Sequence, residues 1–200
     1  MNQIPKVLIY SRLAIGLVLV VCSALHVSNY NRLAVILFTA GLLTDIFDGI
    51  IARQLQASTE YLRRLDSSAD QIFFILVAIA TYIASPQFFH DHYLKLIILL
   101  STEALAYLIC YLKFRKEIAT HAIASKIWTL ILFATIIQIM ATDNAIILFE
   151  FCFYVGIATR LEIITIILVL RKWASDVPSV YHAMLLRQGK PIKRHSLFNG

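Results

Sequence analysis

Apolar residues run through this chain in six long blocks separated by short polar breaks. The blocks cover roughly residues 5–26, 31–56, 60–85, 93–116, 120–141 and 145–173. Wound as an α-helix rising about 1.5 Å per residue, each is long enough to cross about 30 Å of hydrocarbon. The breaks carry polar or helix-breaking residues: Ser28-Asn29, Ala57-Ser58-Thr59, Ser85-Pro86, Lys116-Glu117 and Thr142-Asp143-Asn144. No long polar insertion and no internal repeat interrupts the series. The pattern predicts an all-α integral membrane protein with six transmembrane helices. Residues 1–175 make the membrane domain and 176–200 a basic tail. In the tail, Val180, Met184 and Leu185 mark one stripe of a short helix that Gly189 ends. A solvated tail resting on anionic headgroups is expected there.

Composition agrees with this reading and excludes others. Hydrophobic residues make up 60% of the chain, charged residues 15%, and the mean hydropathy is +0.76. A soluble protein carries about 25% charge. The net charge of +6 does not indicate nucleic acid, because the basic residues lie between and beyond the apolar blocks. None interleaves with exposed aromatics as a nucleic-acid surface requires. Cys22, Cys110 and Cys152 stand alone in apolar segments, so neither zinc spacing nor a disulfide framework is present, and they read as buried thiols. The first block follows Lys6 and Arg12 without an A-x-A-like site before His26, so it reads as a retained helix.

The cationic residues assign sidedness. If the N-terminus is cytoplasmic, 15 of the 18 Lys and Arg fall inside, Arg32 and Lys95 fall outside, and Arg160 lies within a span. Both termini are then cytoplasmic, and the chain is expected in a plasma membrane such as a bacterial inner membrane.

Chemistry concentrates in one window. Asp45 and Asp48 end the second block, and Asp66 and Asp70 begin the third. At about 100° per residue, Asp45, Asp48, Gly49 and Ala52 fall on one arc of a helix with Arg53 at its margin. Asp66 and Asp70, four apart, share a face. The link between the blocks is short, so the two helices form an antiparallel hairpin and four carboxylates can converge near its cytoplasmic end. A carboxylate at membrane depth costs several kcal/mol without compensation, about 3 kcal/mol by insertion scales. A hard divalent cation is the natural common partner. A competing account pairs the aspartates with Arg53, Arg63 and Arg64. Arginines at a membrane boundary reach water by snorkelling, however, and do not need four buried partners.

The window Asp45-x2-Asp48-Gly49-x2-Ala52-Arg53-x8-Leu62-x3-Asp66-x3-Asp70 resembles the signature D-x2-D-G-x2-A-R-x8-G-x3-D-x3-D of the CDP-alcohol phosphatidyltransferases. Seven of its eight fixed positions match, with every interval preserved. The departure is Leu62 in place of Gly, which would narrow the nucleotide pocket. The resemblance implies six transmembrane helices, cytoplasmic termini and a homodimer. It implies transfer of a phosphatidyl group from CDP-diacylglycerol, or another CDP-alcohol, to an acceptor hydroxyl, with release of CMP. By resemblance, Asp45, Asp48, Asp66 and Asp70 hold two Mg²⁺ or Mn²⁺ ions and Asp70 is the general base. Gly49, Ala52 and Arg53 hold the CDP-alcohol, with Thr59 in the linking loop a further candidate.

The acceptor pocket is less defined. Ser125-Lys126-Ile127-Trp128-Thr129 resembles a Lys-containing stretch in phosphatidylglycerophosphate synthases, which points to glycerol 3-phosphate as acceptor. Arg115 and Lys126 are candidate phosphate ligands, set against plain anchoring at the inner face, as for Lys113 and Lys116. Arg160, deep in the last span, is either an acceptor-phosphate ligand or the partner of Glu150, Glu162 or Glu103. His121 lies near the inner face, and the other histidines at ends or loops. Two rival functions remain, a membrane prenyltransferase and a cation or proton transporter that uses the aspartates as a relay. The first places its two Asp-rich motifs far apart, and the second tends to show broken helices or repeats.

Overall fold

The computed structural model describes residues 4–54, 60–116, 118, 120 and 122–192, with residues 4, 5, 45–54, 60–64 and 67 described by backbone alone. The described residues form eight helices and no strand. These are α1 (Ile4–Ala24), α2 (Tyr30–Gln54), α3 (Glu60–Ala84), α4 (Pro86–Asp91), α5 (Tyr93–Phe114), α6 (Ile123–Thr142), α7 (Ile146–Val169) and α8 (Val180–Arg187). Two were not part of the six-block pattern. The short α4 begins on Pro86, whose missing N–H costs nothing at the first helical position. The short α8 is the helix expected in the tail.

Among the described residues four helices carry apolar stretches long enough to cross a membrane: Lys6–Ala24, Tyr93–Phe114, Ile123–Thr142 and Ile146–Val169. The described apolar parts of α2 and α3 are Tyr30–Thr44 and Ser68–Ala84. Large apolar side chains such as Val7, Leu17, Leu100, Leu112 and Ile147 are exposed along these helices. A soluble monomer rarely shows so much contiguous apolar surface. Hydrocarbon is the solvent that suits it, and the chain is an integral membrane protein.

The chain divides into two compact units, Met1–Asp91 with Ile136–Asn144, and His92–Thr135 with Ala145–Gly200. In the first, α1 packs on both α2 and α3. Its buried positions are Ile9, Arg12, Gly16, Leu19 and Ser23, alternating three and four apart. That spacing keeps one face of α1 turned to its neighbours, with small residues where the backbones approach. A methyl group added at Gly16 would lie 2.8 Å from Leu76 Cδ1, and one at Gly41 would strike the Phe73 ring. Phe73 stacks on Phe38 with centroids 6.1 Å apart. The contacts pair position 12 with 66 and 70, and position 16 with 73 and 76, so α1 and α3 run parallel. Ser85 Oγ donates to Asp143 Oδ1 at 2.6 Å, which answers a carboxylate far from the other aspartates.

In the second unit, α5 and α7 also run parallel, tied at three levels. Lys95 pairs with Glu150. Arg160 Nε lies 2.8 Å from Glu103 Oε2. Lys113 Nζ donates to the carbonyls of Ile167 at 3.0 Å and Leu168 at 2.7 Å. The third tie places a cation on the negative end of α7, where the terminal carbonyls lack helical partners. Below it, α8 folds back onto α7. Ala183 is buried in a cluster with Ala122, Ile166, Leu170 and Val177, and Val180 and Leu186 pack against it. Met184, expected on the apolar stripe, is instead exposed. Ala183, one position from Met184, faces the helix that α8 covers, and residues 187–190 are exposed.

Candidate active site

Asp66 and Asp70 lie one turn apart on α3, and a single residue of α1 meets both. Arg12 Nη1 donates to Asp66 Oδ1 at 3.3 Å and pairs with Asp70 Oδ1. The arrangement follows from the seam. Arg12 takes a buried position between Ile9 and Gly16, beside the small cluster of Ile9 and Ala69 with Leu13 and Leu65. Ala69, between the two aspartates in sequence, faces α1, and its short side chain lets the guanidinium reach past it.

Burial within the trio is uneven. The Arg12 side chain is 1% exposed, whereas those of Asp66 and Asp70 are 34% and 33% exposed. The cation is thus walled in by helices, and the carboxylates keep an open side. Among the described side chains, two carboxylates thus face one guanidinium. Carboxylate oxygens are the donors that suit a hard cation. Among the described residues no three carboxylate, histidine or cysteine side chains come together.

Of Asp45, Asp48, Gly49, Ala52 and Arg53 only the helical backbone of α2 is described, and Thr59 lies outside the described residues. The side chains of Leu62, Arg63 and Arg64, and all of His121, lie outside them as well. The convergence of four carboxylates expected from the sequence therefore reaches the described residues only through its second pair. That pair's cation is Arg12, which the sequence reading had counted as an anchor at the inner face. The signal was present: Arg12 stands eight residues into a helix, with Leu13, Ala14 and Ile15 following it. A charge at that depth requires a partner.

The acceptor candidates fall in the second unit. Arg115 caps α5 in the left-handed conformation (φ 54°), with its guanidinium 5.5 Å from the Tyr111 ring centre. Lys126 sits in the first turn of α6. Arg160 lies flat on Trp128, 3.6 Å from the ring centre, and is held by Glu103. Trp128 in turn donates its indole N–H to Cys152 O at 3.0 Å. Gly156 makes the stack possible, since a methyl group there would lie 2.7 Å from Trp128 Nε1. Of the three glutamates offered to Arg160 by the sequence, Glu103 is the one that meets it. The aromatic beneath it was not foreseen. Cys110 and Cys152 are buried and Cys22 half-buried, all as free thiols.

The described part of the site is a pair of partly exposed carboxylates, one turn apart on a helix of a membrane protein. A family model for CDP-alcohol phosphatidyltransferases matches residues 2–170, nearly the whole described chain, and the chain belongs to that family. It is a phosphotransferase for substituted phosphate groups, and moves a phosphatidyl group from a CDP-alcohol to an acceptor in phospholipid synthesis. No curated protein and no solved structure matches the chain with comparable significance.

Proposed function

We propose that the donor is CDP-diacylglycerol, that the acceptor is glycerol 3-phosphate, and that transfer takes place at the carboxylates carried by α2 and α3. The observation that carries this reading is Asp66 and Asp70 held one turn apart, partly open, beside one buried arginine. Asp45, Asp48, Asp66 and Asp70 would hold two Mg²⁺ or Mn²⁺ ions. When bound, the metals supply positive charge to the diphosphate and its leaving CMP.

The residues of the chain do the remainder. Arg12 fixes Asp66 and Asp70 on one side, so the free oxygens face the opening. Asp70 accepts the proton of the acceptor hydroxyl. Gly49, Ala52, Arg53 and Thr59 hold the CDP part. Lys126, in the stretch similar to phosphatidylglycerophosphate synthases, meets the acceptor phosphate together with Arg115. Arg160 belongs to this group only if it leaves Glu103, so its part is the smallest. Six spans with both termini cytoplasmic, assembled as a homodimer, complete the reading. The bias of cations toward one set of loops supports that sidedness.

A panel of acceptors tests it. Purified protein, CDP-diacylglycerol and Mg²⁺ are offered glycerol 3-phosphate, serine, inositol phosphate, choline or phosphatidylglycerol, and CMP release and product mass are read. CMP formed only with glycerol 3-phosphate is the expected result. Turnover with another member of the panel would replace the acceptor and leave the donor chemistry intact.

A further inference from the structure

The end of α7 carries a groove that the transfer reaction does not use. Leu170, Arg171, Lys172 and Trp173 form one wall and Leu186 and Arg187 the other, around a cavity of about 430 Å³. That volume lies in the range of small-molecule sites, about 300–1,000 Å³. No carboxylate stands in its described lining, so three cations face one space.

Ordinary structural duties account for only part of this charge. The last carbonyls of α7 already have donors. Lys113 takes those of Ile167 and Leu168, the Leu170 N–H takes Ile166, and Arg187 Nη1 takes Val169 at 3.4 Å. Lys116 is occupied over the Trp173 ring, 4.5 Å from its centre. Arg171 and Lys172 are exposed and make neither an ion pair nor a hydrogen bond with any described residue. They are surplus to helix capping.

The walls are also fixed in place. Leu170 and Ala183 are buried in one cluster, Leu186 packs on it, and the Ile123 N–H donates to Pro178 O at 3.0 Å. On its outer side α8 exposes Tyr181 (65%) and Met184 (48%). A short helix with an exposed apolar face, joined to the end of a membrane-crossing one by residues 170–179, suits the interface. Trp173, also exposed, is the residue type enriched at that level. The groove therefore opens among lipid headgroups.

We infer that this groove is a binding site for the phosphate of an anionic phospholipid headgroup, gripped by Arg171 and Lys172 with Arg187 behind them. The occupant comes from the surrounding leaflet, because Leu170, Trp173 and Leu186 line the groove beside its cations and suit acyl chains. The site is independent of the reading of the aspartates.

The test uses the full chain purified in a neutral detergent. Dioleoyl phosphatidylglycerol, dioleoyl phosphatidylcholine or inorganic phosphate is titrated at equal phosphate concentration. Retained lipid is counted by native mass spectrometry, and the melting temperature is followed in parallel. Phosphatidylglycerol should bind and raise the melting temperature, and the double variant Arg171→Gln/Lys172→Gln should bind it about 25-fold more weakly, at about 1 kcal/mol for each charge. Both side chains are exposed, so the variant should melt like wild type without lipid. Should it not fold, the wild-type protein still decides the matter: 0.5 M NaCl must weaken phosphatidylglycerol binding and leave phosphatidylcholine unaffected. Equal retention of the two lipids, or a double variant that binds like wild type, overturns the inference. So does inorganic phosphate protecting as well as the lipid, which would assign the groove to a soluble anion.

Discussion

Replacing Arg12 with methionine removes the cation that α1 places on Asp66 and Asp70 and leaves the helix seam filled by a side chain of similar length. Breaking a fully buried ion pair by deleting one partner costs about 3–5 kcal/mol. A pair open to water is worth about 0–1 kcal/mol. The trio lies between these limits, since Arg12 is 1% exposed and its two partners about a third exposed. Water can reach the stranded carboxylates and discounts the loss, so the expected cost is about 2 kcal/mol. For a chain of this size that lowers the melting temperature by about 4–8 °C. The assay is thermal unfolding in detergent with chelator present, at one scan rate, because membrane proteins often unfold irreversibly. Arg12→Met is compared with wild type, Asp66→Asn/Asp70→Asn and the triple variant. If the pairing is real, the triple variant loses less than the sum of the other two, by about 2 kcal/mol of coupling. Arg12→Lys should fall between, because an ammonium lacks the planar fork that serves two carboxylates. An Arg12→Met protein melting within 1 °C of wild type, or strictly additive losses, would show that the seam and not the charge holds these helices.

Asp70→Asn should retain its melting temperature within a few degrees and release CMP at least about 100-fold more slowly; wild-type turnover would remove Asp70 as the base. Mg²⁺ at about 100 times its dissociation constant should stabilise wild type by about 2.7 kcal/mol and the Asp66→Asn/Asp70→Asn protein hardly at all. Equal melting shifts in the two would place the ion elsewhere. Gly156→Val drives a side chain into Trp128 and Leu99, and should cost about 1–3 kcal/mol, read as a lowered melting temperature. Arg160→Ala should destabilise through the loss of Glu103 and Trp128; a stable protein with a raised KM for glycerol 3-phosphate alone would make Arg160 an acceptor ligand instead.

Much of the architecture could be read from the chain because hydrocarbon imposes simple rules. Long apolar blocks became helices, and two of the polar breaks turn the chain with positive φ, at Asn29 and Asp143. The pairing of Asp66 with Asp70 needed only their spacing. What sequence could not supply was the third dimension. Arg12 reads as one more cation near the start of a first helix until the three-and-four seam turns it toward α3. The choice of Glu103 over Glu150 or Glu162 depended on α5 and α7 running parallel. Six alternating blocks make the fourth and sixth parallel, but do not say that the two touch. Glu150 was in fact claimed by Lys95. The packing of α8 through Ala183 was hidden because alanine carries little hydropathy and its burial depends on what lies above it.

The placement of Arg12 on α1 bears on how α3 enters the membrane. The first part of α3 carries Asp66 and Asp70 ahead of a long apolar run, so it brings two carboxylates to the membrane at the moment of insertion. An aspartate at a helix centre opposes partitioning by about 3 kcal/mol on the biological scale. A guanidinium delivered earlier in translation, by a helix already embedded, offsets that penalty when α3 arrives. The first helix thus serves the third as an insertion partner. Glycosylation mapping of nascent chains should find α3 translocated or stranded more often when Arg12 is methionine, and unchanged insertion efficiency would show that α3 enters unaided.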